Sequence, residues 1–154
     1  MKIIRGDRKG KGIKIGIVVS RFNQSITDRL LEGALEALKI TGVSSNRVTV
    51  ISVPGAFDIP AVAKRLTETY KPDAIVCLGA VIRGETEHFT YVCKSAQEGI
   101  SAVCLEKGLP ITFGILTTEN LEQALARSAA GDANKGYEAA RDAVELANTL
   151  RLMR

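Results

Sequence analysis

Short runs of β-branched and aliphatic residues alternate with longer segments of helical period, and this alternation restricts the chain to one architecture. Ile13–Val19 (Ile-Lys-Ile-Gly-Ile-Val-Val), Val48–Val53, Ala74–Ala80 and Ile111–Leu116 read as strands. Between and after them, residues 26–40, a segment opening near Pro60, residues 88–106, 119–128 and 135–152 read as helices. In the first helix, Ile26, Leu30, Leu31, Ala34, Leu35 and Leu38 make the apolar stripe, and Gly42 stops it. In residues 88–106 the stripe is Phe89, Val92, Cys93, Ala96, Ile100, Val103 and Cys104. Four apolar strands alternating with helices imply an α/β fold. A four-stranded parallel sheet is covered by helices on both faces, with right-handed crossovers.

The 154 residues suit a single domain, residues 1–154, and no repeat or linker divides them. No run approaches the ~18 apolar residues of a membrane span, and the start, Met1-Lys2-Ile3-Ile4-Arg5-Gly6-Asp7, has no secretory h-region. A cytoplasmic protein with no membrane partner is expected. Net charge is +4, and six of the 21 basic residues fall within residues 1–14 against Asp7 alone. This basic arm suits a solvated or subunit-pairing terminus better than a nucleic-acid contact, since nothing else resembles a nucleic-acid module. Cys77, Cys93 and Cys104 are too few and too dispersed for a disulfide framework. All three read as buried apolar residues.

Ligands of open parallel sheets bind beyond the carboxyl ends of the strands. That rule selects Ser20-Arg21-Phe22-Asn23, Pro54-Gly55-Ala56-Phe57-Asp58, Val81 through His88, and the end of the fourth strand at Thr117-Thr118. Phe22 and Phe57 sit in two of these connections. Each is either a core plug or a stacking surface for a planar ring. Arg83-Gly84-Glu85-Thr86 precedes a helix whose free N–H groups and positive dipole end suit a phosphate. A tight turn with a threonine cap is the plainer alternative. Glu85 would repel an anion, so its side chain should point away. His88, the single histidine, lies beside this segment and suits proton transfer near neutral pH. One histidine without clustered carboxylates is too few ligands for a metal. The phosphate-loop and dinucleotide signatures are absent, which argues against ATP and NAD.

Together these segments resemble the 6,7-dimethyl-8-ribityllumazine synthases of riboflavin biosynthesis. The resemblance runs from the first strand to the last helix. It includes Ser20-Arg21-Phe22-Asn23, Pro54 through Pro60, Gly79 through Phe89, Phe113-Gly114 and Asn134-Lys135-Gly136, and Val81-Ile82-Arg83-Gly84-Glu85-Thr86-Glu87-His88-Phe89 is its most specific part. It implies a flavodoxin-like three-layer sandwich. It also implies a transferase, without metal or organic cofactor, that condenses 5-amino-6-(D-ribitylamino)uracil with 3,4-dihydroxy-2-butanone 4-phosphate. The products are the lumazine, phosphate and water. By resemblance, Phe22 stacks on the pyrimidine, while Ala56, Phe57 and Asp58 and Ala80, Val81 and Ile82 hold the uracil and ribityl groups. Glu85 and Thr86 bind phosphate largely through their backbone, and His88 moves protons. Arg127 and Phe113 come from a neighbouring subunit, and Asn23, Lys135 and Glu138 support the site from behind.

Members of this family assemble as pentamers or as icosahedral shells of sixty subunits, with the N-terminal segment (residues 1–12 here) pairing with a neighbour's sheet. A riboflavin synthase is the expected protein partner. Two departures stand out. Asp58 replaces the usual Glu, and the turn from Ala129 to Gly136 lacks the usual Gly-Thr-Lys-x-Gly start. The turn carries no insertion, which favours sixty subunits. The rival readings are an archaeal-type riboflavin synthase, a non-catalytic flavin-binding module and a shell-forming protein.

Overall fold

The computed structural model describes residues 1–154. Its elements are β1 (Ile15–Ser20), α1 (Gln24–Thr41), β2 (Val48–Val53), α2 (Ile59–Thr69), β3 (Ala74–Ile82), α3 (His88–Lys107), β4 (Ile111–Thr118), α4 (Leu121–Arg127) and α5 (Lys135–Leu152), with 3₁₀ turns at Ser45–Arg47 and Ala56–Asp58. The four strands form one parallel sheet in the order β2-β1-β3-β4.

The strands' period of two divides the core into two layers. Ile15, Ile17 and Val19 of β1, with Val76, Leu78 and Ala80 of β3, face α1 and α5. Val18, Ile75, Cys77 and Ile115 face the opposite way, toward α2 and α3. Both sides of β1 and β3 are covered, so these strands need apolar or small residues along their length, and Ser20 at the end of β1 is the one polar exception.

Several boundaries move, for local reasons. β1 begins at Ile15 because the two preceding amides are used elsewhere: Ile13 N–H donates to Gly10 O and Lys14 N–H to the Asp73 carboxylate. β3 and β4 each run two residues past the apolar run, pairing Val81 with Thr117 and Ile82 with Thr118. In α1, Gly33 and Ala37 join the buried face while Leu35 turns to solvent. Gly42 does end α1, in the left-handed region at φ 86°, with its N–H returned to Leu38 and Lys39. Of the cysteines only Cys77 is fully buried, and its apolar surroundings push the thiol pKa well up. Cys93 and Cys104 are half-buried, which corrects the expectation that all three lie in the core.

The basic N-terminal segment forms no strand within its own chain. Residues 6–10 are strapped along α5 and α1: Gly6 N–H donates to Thr149 Oγ1 (3.0 Å), Asn148 Nδ2 to the carbonyls of Asp7 and Lys9, and Gly10 N–H to Thr41 O (2.7 Å). Arg8 Nε meets Glu145 at 2.9 Å and Arg5 meets it at 3.6 Å. Only Met1–Ile4 project, with Ile3 78% exposed. The hydrogen bond from Arg8, aided by Arg5, holds the Glu145 carboxyl below its ordinary value of 4.5. A depressed carboxyl pKa stabilises the folded form above the ordinary value, and that contribution disappears as pH falls through the folded value. Protection of the amides over residues 5–10, taken against the intrinsic exchange rate at each pH, should therefore fall below about pH 4.5. High salt should have the same effect at neutral pH, because the ion pair is exposed. Protection unchanged under both conditions would show that the strap does not depend on Glu145.

Candidate active site

In the order β2-β1-β3-β4, the connection after β1 runs to one side of the sheet and that after β3 to the other, so a crevice opens between β1 and β3 at their carboxyl ends. Three segments wall it. After β1, Arg21 N–H donates to Val53 O (2.8 Å) and Phe22 N–H to Pro54 O (3.0 Å), which ties the end of β1 to that of β2. Asn23 takes a left-handed conformation (φ 59°) and sends Nδ2 to Ala80 O at 2.9 Å, across to β3. The Phe22 ring, anchored on both sides through its backbone and its neighbour, stands 71% exposed.

After β2, Asp58 Oδ2 accepts from Gly55 N–H at 2.9 Å and closes a tight turn. The turn buries Ala56 and projects Phe57, 63% exposed, toward the crevice. The third wall is the extension of β3 and the loop after it. Ala80, Val81 and Ile82 form the floor. Arg83 N–H then continues the ladder to Thr118 O (2.9 Å), and the chain passes through Gly84–Glu87 into α3. The N–H groups of Gly84, Glu85 and Thr86 make no hydrogen bond to the rest of the chain. Thr86 Oγ1 accepts from His88 N–H (3.4 Å), so the threonine cap of the plainer reading is present beside the free amides. The His88 ring is exposed and makes no hydrogen bond within the chain.

These walls enclose a cavity of about 630 Å³, lined mainly by apolar side chains. Phe22, Ala56, Phe57, Ala80, Val81, Ile82, Thr86 and His88 all border it. Residues 12–151 match the model of the family described as 6,7-dimethyl-8-ribityllumazine synthase. The chain belongs to that family. Its activity is lumazine synthesis in riboflavin biosynthesis, a transferase reaction, and the match favours it over the riboflavin synthase, flavin-binding and shell-only readings. The flavodoxin-like α/β fold expected of such a synthase is the one observed.

Seven of the expected site residues lie outside the cavity wall. Asn23 braces the wall from behind through Ala80. The Asp58 carboxylate is spent on the Gly55 amide. Glu85 is exposed on the loop. Phe113 lies on β4, opposite Cys77 in the register and 43% exposed. Arg127 ends α4, exposed, with its guanidinium on Gln123 O (3.2 Å). Lys135 and Glu138 pair with each other at 2.9 Å in the first turn of α5.

Phe89 and Val92 join the wall without having been singled out as binding residues. The pattern of residues 88–106 placed both on the core-facing stripe of a helix. Side chains lean toward a helix's N-terminus, however, so first-turn residues reach over the ligand end of the sheet, and that lean was the available signal. Arg83 lies outside the wall, although it stands beside the anion-binding segment. Its Nε is 2.7 Å from Glu119, and this hydrogen bond raises the guanidinium pKa above its ordinary value. No helix is long and apolar enough to cross a membrane, and nowhere do three or more His, Cys, Asp or Glu side chains gather as metal ligands.

Proposed function

We propose that this cavity receives 5-amino-6-(D-ribitylamino)uracil, with Phe22 stacked on the pyrimidine and the β3 floor and the Ala56–Asp58 turn along the uracil and ribityl groups. The free N–H groups of Glu85 and Thr86 bind the phosphate of 3,4-dihydroxy-2-butanone 4-phosphate, helped by the positive end of α3. His88 moves the protons. The observation that carries this reading is the meeting, in one cavity, of an exposed aromatic face, unpaired amides at a helix start and the single imidazole. A volume of about 630 Å³ suits ligands of this size.

The chemistry follows from these groups. The substrate amine attacks the ketone, a proton passes to the carbinol oxygen, and water leaves to give an imine. Loss of a proton from carbon expels phosphate. The enol this leaves tautomerises to a ketone, and the ribitylamino nitrogen closes on that new carbonyl with loss of a second water. Each stage transfers a proton across a short distance, which one imidazole can do in both directions. Holding two substrates side by side supplies much of the remaining rate.

The site is shared between subunits in this reading. Phe113 and Arg127 lie outside the wall in their own chain, and a neighbour's copies complete the pyrimidine and phosphate ends. Lys135 and Glu138 support the site from behind. The assembly is a pentamer, built further into a shell of sixty subunits. The projecting Met1–Ile4, the part of residues 1–12 not strapped to its own chain, pairs with the neighbour's sheet. The protein works in the cytoplasm, and a riboflavin synthase that consumes the lumazine is its partner.

Mixing both substrates with the protein should release phosphate and build lumazine absorbance faster than the spontaneous reaction. Native mass measurement separates five from sixty subunits. Arg127→Ala should chiefly raise KM for the phosphorylated substrate. If His88→Ala and Arg127→Ala chains are unfolded and reassembled together, about a quarter of the interfaces regain both side chains, and activity should rise above that of either variant. Reassembled mixtures no better than the separate variants would place Arg127 in the same chain's site or in none.

A further inference from the structure

We propose that Arg83 is a positioning residue for this site, a clamp that fixes the start of α3 against the end of β4 and so sets where His88 and the free amides of residues 84–86 stand. The inference rests on the roles proposed above for His88 and for those amides. Three contacts of Arg83 carry it. Its backbone N–H extends the β3–β4 ladder to Thr118 O at 2.9 Å. Its Nε donates to Glu119 Oε2 at 2.7 Å. Its guanidinium carbon lies 4.4 Å from the centroid of the Phe89 ring, close enough for cation–π attraction.

Phe89 belongs to the first turn of α3, borders the cavity and directly follows His88. Glu119 is itself held in place: its N–H donates to Gln123 Oε1 (2.9 Å), and Gln123 N–H to the Asn120 cap of α4 (2.9 Å). The Arg83 side chain therefore joins a fixed point beyond β4 to the turn that carries the imidazole. Within the loop itself the hydrogen bonds are few and local, from His88 N–H to Thr86 Oγ1 and from Tyr91 N–H to Glu87 O. Both charged side chains are about half exposed, so the pair adds little to overall stability and its effect falls on placement. A displacement of about 1 Å in a reacting group is enough to lower a rate by up to 10²-fold.

Steady-state kinetics of Arg83→Met, Arg83→Lys, Glu119→Gln and the Arg83→Met/Glu119→Gln pair, in wild-type and His88→Ala backgrounds, tests the clamp. Melting and native mass confirm the fold of each variant. Arg83→Met keeps the stem but loses the charge and the stack, and should lower kcat about tenfold. Arg83→Lys keeps a point charge without the planar face and should fall between. The pair should be no worse than the worse single variant, and in the His88→Ala background the cost should shrink to less than about twofold. Added salt should slow the wild type toward the variant while leaving the variant unchanged.

A kcat within about twofold of wild type, or a full cost persisting without His88, overturns the clamp. If Arg83→Met does not fold, Glu119→Gln alone makes the same comparison. If His88→Ala itself runs at the wild-type rate, the proton-transfer role of His88 falls and not the clamp. The clamp then stands on a raised KM for the phosphorylated substrate in Arg83→Met, and an unchanged KM overturns it.

Discussion

Gly136→Ala is expected to prevent the chain from folding to its normal stability, with a loss of about 3 kcal/mol or more. Gly136 is buried in the first turn of α5, where that helix crosses α1. A Cβ there would stand 2.0 Å from Leu30 O and within 3 Å of two further Leu30 backbone atoms. A flexible side chain could rotate away from such a contact, but the backbone of a helix interior cannot. The two helices would have to separate, and their contact is the main seal over one face of the sheet. Alanine's better helix propensity returns at most about 1 kcal/mol.

Asn134 raises the cost further. Its Oδ1 caps Gly136 N–H and Tyr137 N–H (2.8 and 3.1 Å), and its Nδ2 holds Arg29 O and Ser128 O (3.1 and 3.0 Å). Pushing α5 outward breaks this buried junction, including the bond to Ser128, next to Arg127. Urea denaturation at fixed protein concentration reads the effect. Gly84→Ala is the control: nothing lies within 4 Å of its Cβ, and its midpoint should stay at the wild-type value. Equal midpoints for the two variants would show that α1 and α5 can yield at this crossing.

The difference between these glycines marks where the sequence stops being readable. The strand and helix periods are local, so the four parallel strands, both helical layers and the stop at Gly42 follow from spacing alone. The carboxyl-end rule then places Phe22, Phe57 and His88 around one crevice, where the structure has them. Close approach is not local. Nothing around Gly136 indicates that Leu30, more than a hundred residues earlier, supplies the opposing backbone. Side-chain commitments are hidden for the same reason. Arg83 and Asp58 stand in segments that read as ligand-binding, yet the fold gives one to Glu119 and the other to Gly55. Arg127 and Phe113 are a third case, because neither converges on the cavity within its own chain. Only the likeness of whole motifs to a family brought them forward.

His88→Ala is expected to lower kcat by roughly 10- to 100-fold while leaving KM for both substrates, and the assembly, close to wild type. The direction follows from the number of proton transfers in the condensation, each of which the imidazole can serve. The magnitude sits at the lower end of general acid–base effects because of where the ring stands. It is exposed at the cavity rim and bonded to nothing in its own chain, so water reaches the same position and carries protons more slowly. Binding should survive, since the stacking face, the β3 floor and the free amides are all contributed by other residues. Folding should survive for the same reason, because removing an exposed ring leaves no cavity and no orphaned partner.

This fixes what a rescue experiment must show. Free imidazole added to the alanine variant can occupy the open rim and should restore part of the lost kcat, in proportion to its concentration. A loss of kcat that imidazole does not repair would mean that the ring shapes the cavity rather than moving protons. A raised KM at unchanged kcat would move His88 to the binding surface, alongside Thr86.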